Sequence, residues 1–149
     1  MPGHASQGHT LADLLVALAI VALLATLAVP SYRGHLERAR RAEARAALLA
    51  IAAAQEAHYL ECRRYASALD ADSAPSCDPS RLRLPAATDD GGYGLAITAG
   101  DASGWSAQAT ARPAGPQARD RRCRDIGLDS AGHRTARDAD GRSTDAECW

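Results

Sequence analysis

The sequence predicts an α+β fold in which a long N-terminal helix packs on a small antiparallel sheet of about four strands. Two observations predict it: an uncharged apolar run followed by helical periodicity, then short alternating segments separated by turn residues. The 149 residues allow one modest domain beside such a helix. Basic and acidic residues nearly cancel, 17 against 18, so the net charge does not argue for nucleic acid or a membrane surface as partner.

The first element is the apolar run from Leu14 to Val29, which contains no charged residue. As a helix it is about 24 Å long, so its neighbours must contribute if it is to span a hydrocarbon core of about 30 Å. A cleaved signal peptide is disfavoured, because residues 1–8 contain no Arg or Lys and Asp13 stands at the start of the run. That carboxylate either caps the helix or needs a charged partner in lipid.

Seven positions around this run have a distinctive spacing: Gly8, His9, Thr10, Leu11, Asp13, Pro30 and Tyr32. They resemble the N-terminal signature of the type IV pilins. In that family a peptidase cuts after the glycine, the new N-terminus is methylated, and the apolar helix anchors the protein before it becomes the filament core. The resemblance implies a leader over residues 1–8, cleavage between Gly8 and His9, and an assembly helix over residues 9–30. Asp13, in place of the family's usual Glu, then meets the N-terminus of a neighbouring subunit.

The function implied by this resemblance is that of a structural subunit of a type IV pilus, most like the PilE-type minor pilins, and not an enzyme. Its partners are other pilin subunits, the prepilin peptidase and the inner-membrane assembly machinery. It begins as a single-span inner-membrane precursor with a periplasmic C-terminal domain and ends in a surface pilus that supports twitching motility, adhesion or DNA uptake. Two alternatives remain open: a pseudopilin of type II secretion, and a membrane-anchored periplasmic binding domain that never polymerises.

The second part of the helix, residues 31–61, has an apolar face. Leu48, Ile51, Gln55 and Tyr59 recur at steps of three and four residues. Further apolar residues widen this face, which predicts a helix laid across a sheet. They are Leu49, Ala53, Ala57 and Leu60.

The remaining segments predict an irregular connection over residues 62–92 and a sheet over residues 93–149. The connection contains several prolines and an Asp-Asp-Gly-Gly turn. The four strand candidates alternate apolar and polar residues. They are Tyr93–Ala99, Trp105–Arg112, Cys123–Asp129 and Gly132–Ala136.

Four cysteines allow three pairings. We favour Cys62 with Cys77, which closes the loop after the helix, and Cys123 with Cys148, which ties the end of the chain to the third strand. The second pairing makes the C-terminal segment resemble the cysteine-bounded loop of type IV pilins.

The sequence contains no nucleophile motif, phosphate loop or zinc CxxC, so it indicates no catalytic residue, cofactor or metal. His58, Cys62 and Cys77 could be metal ligands, but a disulfide explains the cysteines better in an oxidising compartment. Residues 138–141 begin like a calcium loop but lack its final Glu, which favours a simple acidic turn.

A basic run is the one candidate for nucleic-acid contact. Such runs are more often a solvated face, although some pilins take up DNA through a basic stripe, and arginine suits phosphate. The candidate DNA contacts are Arg119, Arg121, Arg122 and Arg124.

Overall fold

The computed structural model describes residues 11–72 and 80–149. It confirms the α+β fold: a long helix packs against a four-stranded antiparallel sheet. The elements are α1 (Leu11–Cys62), β1 (Ala68–Leu69), β2 (Arg81–Leu82), β3 (Tyr93–Gly100), β4 (Trp105–Ala111), β5 (Asp125–Asp129), β6 (Arg134–Arg137) and α2 (Asp145–Cys148). The chain divides into two units after Leu36.

The described part of the first unit is helical, from Leu11 onwards. Its large apolar side chains from Leu11 to Leu24 are exposed, from 54% at Ile20 to 77% at Leu11. By length and composition, α1 can cross a membrane. Such a surface needs lipid or another protein around it, because isolated soluble proteins rarely expose so large an apolar patch.

The second unit, Glu37–Trp149, contains the sheet in the order β3-β4-β5-β6, with every neighbouring pair antiparallel. The burial of β4 alternates strictly, and its buried residues Trp105, Ala107, Ala109 and Ala111 belong to the hydrophobic core. Alanines on this face leave room for the helix to approach the sheet closely. The helix contributes Ala44, Leu48, Ile51 and Gln55, all fully or nearly fully buried.

The predicted width of the helix face is wrong. Leu49 is 50% exposed and Leu60 is 77% exposed, and Ala53 and Ala57 are also exposed. The small, alanine-lined sheet covers only the narrow stripe of α1 that contains Leu48 and the residues one helical turn before and after it. The four residues expected to widen the face therefore point away from the sheet.

The connection after α1 is more ordered than predicted, because β1 and β2 pair in parallel. Gln55 fixes its first residues: its side-chain amide donates to the Ala66 carbonyl and accepts from the Ala66 N–H, both at 2.9 Å. Gly100 at the end of β3 allows the same backbone to pass closely, since a Cβ there would clash with the Ala66 carbonyl. Strands of two residues are too short to show a periodicity in the sequence.

The end of the chain covers the free edge of β6. The Thr144 N–H donates to the Ala136 carbonyl at 2.9 Å, and the Trp149 indole N–H donates to the Thr135 carbonyl at 2.8 Å. The Asp145 carboxylate accepts the Ala136 N–H. Three backbone groups of this edge strand, the Ala136 N–H and carbonyl and the Thr135 carbonyl, therefore have partners within the chain.

The structure joins Cys123 to Cys148, with 5.8 Å between the two Cα atoms, as the sequence analysis favoured. Cys77 lies outside the described residues, so the pairing of Cys62 with Cys77 stays a prediction.

Candidate nucleic-acid interface

The residues predicted to act in processing and assembly fall in the first unit. Leu11 begins α1, Asp13 lies in its first turn, and Pro30 lies within it. Tyr32 is 64% exposed. Gly8, His9 and Thr10 lie outside the described residues, so their roles stay predictions.

The four candidate DNA-contacting arginines lie in one loop between β4 and β5, residues 119–124, which we call the arginine loop. After β4 the chain reaches this loop through successive turns. The Ala118 N–H donates to the Gly115 carbonyl, and the Asp120 N–H donates to the Gln117 carbonyl. These turns place the loop beside α1, where Arg41 contacts it.

Asp120 holds the arginine loop to the helix. Its carboxylate, 1% exposed, accepts two bonds from the Arg41 guanidinium, from Nε at 2.6 Å and from Nη2 at 2.8 Å. It also accepts from the Gln117 amide at 2.7 Å and from the N–H groups of Arg122 and Cys123 at 3.0 and 3.2 Å. Five bonds on one buried carboxylate fix the backbone on both sides of Asp120.

The charges in this cluster stabilise each other. Burial alone raises the pKa of Asp120, but the Arg41 guanidinium and the Cys123 N–H outweigh it and lower the pKa below its ordinary value. Burial alone lowers the pKa of Arg41, but the hydrogen bonds and the charge of Asp120 outweigh burial, so the pKa of Arg41 lies above its ordinary value. Burial raises the pKa of the Tyr93 phenol, whose O–H donates to the Cys123 carbonyl at 2.9 Å. The support of the loop is therefore a charged pair beside a neutral phenol.

Sequence reasoning missed this cluster. Glu37 and Arg41 stand four residues apart on α1, a spacing that suggests an ion pair on the wetter side of the helix. In the structure the half-buried Arg41 guanidinium bonds instead to Asp120, 79 residues later. No local pattern marks Asp120, which stands among arginines in a loop.

The exposed charges of the arginine loop point away from the buried Arg41–Asp120 pair and into solvent. The side chains of Arg121 and Arg122 are 75% and 74% exposed, and they pair with Asp140 at 3.3 Å and with Glu147 at 3.2 Å. Arg119 is also exposed, whereas Arg124 is half-buried. The structure thus brings three of the four predicted arginines to the surface.

The C-terminal segment braces the loop from its other side. The Thr144 hydroxyl donates to the Arg122 carbonyl at 2.9 Å, and the Ala139 N–H donates to the Arg121 carbonyl at 2.8 Å. The disulfide from Cys148 adds a covalent link at Cys123. The loop is held by the helix on one side and by the end of the chain on the other.

The two tryptophans have different environments. Trp105 is buried in the core, 5% exposed, and cannot stack on a base. Trp149 is half-buried, and the Arg134 guanidinium carbon lies 5.3 Å from the centroid of its ring system. Of the two, Trp149, next to the disulfide, is the more accessible.

The candidate metal positions show other contacts. His58 Nδ1 lies 3.8 Å from Cys62 Sγ. One Asp138 oxygen accepts the N–H groups of Asp140 and Arg142 at 2.8 and 2.9 Å, which makes the acidic segment a turn. Within residues 11–72 and 80–149, no group of three His, Cys, Asp or Glu side chains is arranged to hold a metal ion.

Comparison with known families gives a match over most of the second unit. The family model described as "Type IV minor pilin ComP, DNA uptake sequence receptor" matches residues 30–127, about two thirds of the chain. The match includes the arginine loop and ends within β5. A search of curated proteins finds no match to the chain.

Proposed function

The chain belongs to the family of the type IV minor pilin ComP, and from this membership we propose that it is a minor subunit of a type IV pilus that binds DNA for uptake. The subunit is structural and not an enzyme. It starts in the inner membrane with its second unit in the periplasm and then joins the surface filament. The single observation that carries the DNA-binding part is the outward-facing arginine loop within the matched residues.

Assembly takes place through the apolar part of α1. The exposed leucines, isoleucine and valines between Leu11 and Leu24 require lipid first and other pilin helices later. After the prepilin peptidase cuts between Gly8 and His9, Asp13 meets the new N-terminus of a neighbouring subunit. A carboxylate in such apolar surroundings is stable only beside an opposite charge.

The assembly step is tested with Asp13→Ala, and Asp13→Glu is the matched control because it keeps the charge. We expect the alanine variant to be processed and membrane-bound but missing from sheared filaments, while the glutamate variant enters them. Immunogold labelling of filaments and intact-mass measurement of membrane-extracted protein give the two readouts. Protein that still begins at Met1, or filaments that incorporate Asp13→Ala normally, would contradict the scheme.

The Cys123–Cys148 disulfide supports a pilus subunit over a pseudopilin of type II secretion. Pseudopilins generally lack a C-terminal loop bounded by two cysteines, and the type IV pilins that this chain resembles have one. The same disulfide fixes the arginine loop at Cys123. It therefore supports both the assignment as a pilus subunit and the proposed DNA contact.

DNA contact at the arginine loop is compatible with the ion pairs seen there. Exposed pairs such as Arg121 with Asp140 and Arg122 with Glu147 contribute at most about 1 kcal/mol each, because water screens them. A DNA phosphate can therefore replace the carboxylate at small cost. Asp120 does not compete for the phosphate, because its charge is buried against Arg41.

The DNA contact is tested with a triple variant that changes Arg119, Arg121 and Arg122 to Gln. We expect affinity for duplex DNA to fall and the slope of log K against log salt to decrease by about one for each phosphate that the variant no longer binds. Arg81→Gln is the matched control, since Arg81 is also exposed and paired with a carboxylate but lies in β2, outside the arginine loop. An unchanged salt slope in the triple variant, or an equal effect of Arg81→Gln, would contradict the assignment.

A further inference from the structure

A groove of about 400 Å³ lies on the outer face of the four-stranded sheet, on the side away from the buried alanines of β4. Its floor is Gly127 in β5, which pairs with Gln108 of β4 and Thr135 of β6. A Cβ at Gly127 would lie 2.6 Å from the Thr135 hydroxyl oxygen. The groove is therefore open because this position has no side chain.

Hydrogen-bonding groups surround this floor on all sides. Asp125 and Asp129 stand two residues before and after Gly127, on the same face of the strand. The Thr110 hydroxyl donates to Asp125 at 2.7 Å, and the His133 ring nitrogen lies 2.9 Å from Asp129, so both carboxylates are held in place. Other polar side chains also line the groove: Thr98, Ser106, Gln108, Thr135 and Arg137.

The chemistry of the lining selects the kind of ligand. Two carboxylates against one guanidinium disfavour a polyanion such as DNA. Among the described residues that line the groove, the side chains on its face are polar, and none is Phe, Tyr or Trp, so an apolar ligand gains little there. A ligand with many hydroxyl groups both donates to the Asp125 and Asp129 carboxylates and accepts from the Gln108 amide and the Arg137 guanidinium.

We propose that this groove binds a neutral oligosaccharide, with one sugar ring over Gly127 and its hydroxyl groups bonded to Asp125, Asp129 and Gln108. Its volume falls within the range of about 300–1,000 Å³ that is usual for small-ligand sites. The site is separate from the arginine loop and does not depend on the proposed DNA binding.

The test uses the full chain in a zwitterionic detergent without a sugar head group. Saturation-transfer NMR is recorded with maltotriose, cellotriose and triacetylchitotriose as the probes. We expect transfer to at least one of the three. The Gln108→Ala variant should bind it about fivefold more weakly, because one neutral hydrogen bond is removed, and Gly127→Val should abolish binding by filling the floor.

Controls separate this site from the DNA site. Arg119→Gln should leave saccharide transfer unchanged, and Gln108→Ala should leave DNA affinity unchanged. Circular dichroism checks that Gly127→Val is folded, and Gln108→Ala gives the answer if it is not. No transfer with any of the three probes, equal transfer in Gln108→Ala, or displacement of the saccharide by a DNA duplex would overturn the proposal.

Discussion

Replacing Asp120 by Ala should be among the most damaging single changes in the second unit. The carboxylate is 1% exposed, and its removal leaves the half-buried Arg41 guanidinium without its buried counter-charge. The N–H groups of Arg122 and Cys123 lose an acceptor as well. Breaking a buried pair by removing one partner costs about 3–5 kcal/mol, so we expect a loss of that size in the free energy of unfolding.

The assay is urea unfolding of the full chain in detergent, followed by tryptophan fluorescence, because Trp105 is buried and reports loss of the core. The same measurement against pH gives a second readout. Since the folded pKa of Asp120 is below the ordinary value of about 3.9, its stabilisation is complete above that pH. It is lost as the pH falls through the lower folded pKa, and Asp120→Asn should lack this part of the acid dependence.

Asp140→Ala is the matched control, because it removes another arginine-paired carboxylate that is 47% exposed. That change should cost less than about 1 kcal/mol. A loss below about 1 kcal/mol for Asp120→Ala, or equal losses for both variants, would refute the view that Asp120 supports the arginine loop.

Three further changes test the packing of the second unit by the same unfolding assay. Replacing Cys123 and Cys148 together by Ala should cost about 3 kcal/mol, as expected for a link across 25 residues, and a loss below about 1 kcal/mol would contradict this. Gln55→Leu should cost about 2 kcal/mol or more by leaving both backbone groups of Ala66 without partners, and a neutral effect would show that water replaces the amide. Gly100→Ala should cost about 3 kcal/mol because its Cβ meets a backbone carbonyl, and unchanged stability would mean that the connection shifts freely.

The fold could be predicted because its signals are local. Uncharged apolar residues and alanines predicted α1, and alternation predicted the strands from Tyr93 onwards within about two residues of their observed ends. The helix face could be predicted only in part. Leu48 and Leu49 look equivalent in the sequence, and only the width of the sheet decides that one is buried and the other exposed.

The charged residues of the candidate site could be predicted from the sequence, but the contacts that hold them in place could not. The arginine loop is visible in the sequence, but the contact that fixes it joins Arg41 to Asp120 across 79 residues. Gly127 gave no signal either, because one glycine in a strand does not reveal which side chains surround it. Contacts between distant segments depend on the assembled fold, and a single sequence contains no local pattern for them.

The cover over β6 has a consequence for association between copies of this chain. An uncovered edge strand offers its N–H and carbonyl groups to any other extended chain, which leads to unspecific strand-by-strand association. Here Trp149 and Thr144 already occupy carbonyls of that edge. An extended chain that approached this part of the edge would have to displace both groups before it could pair there.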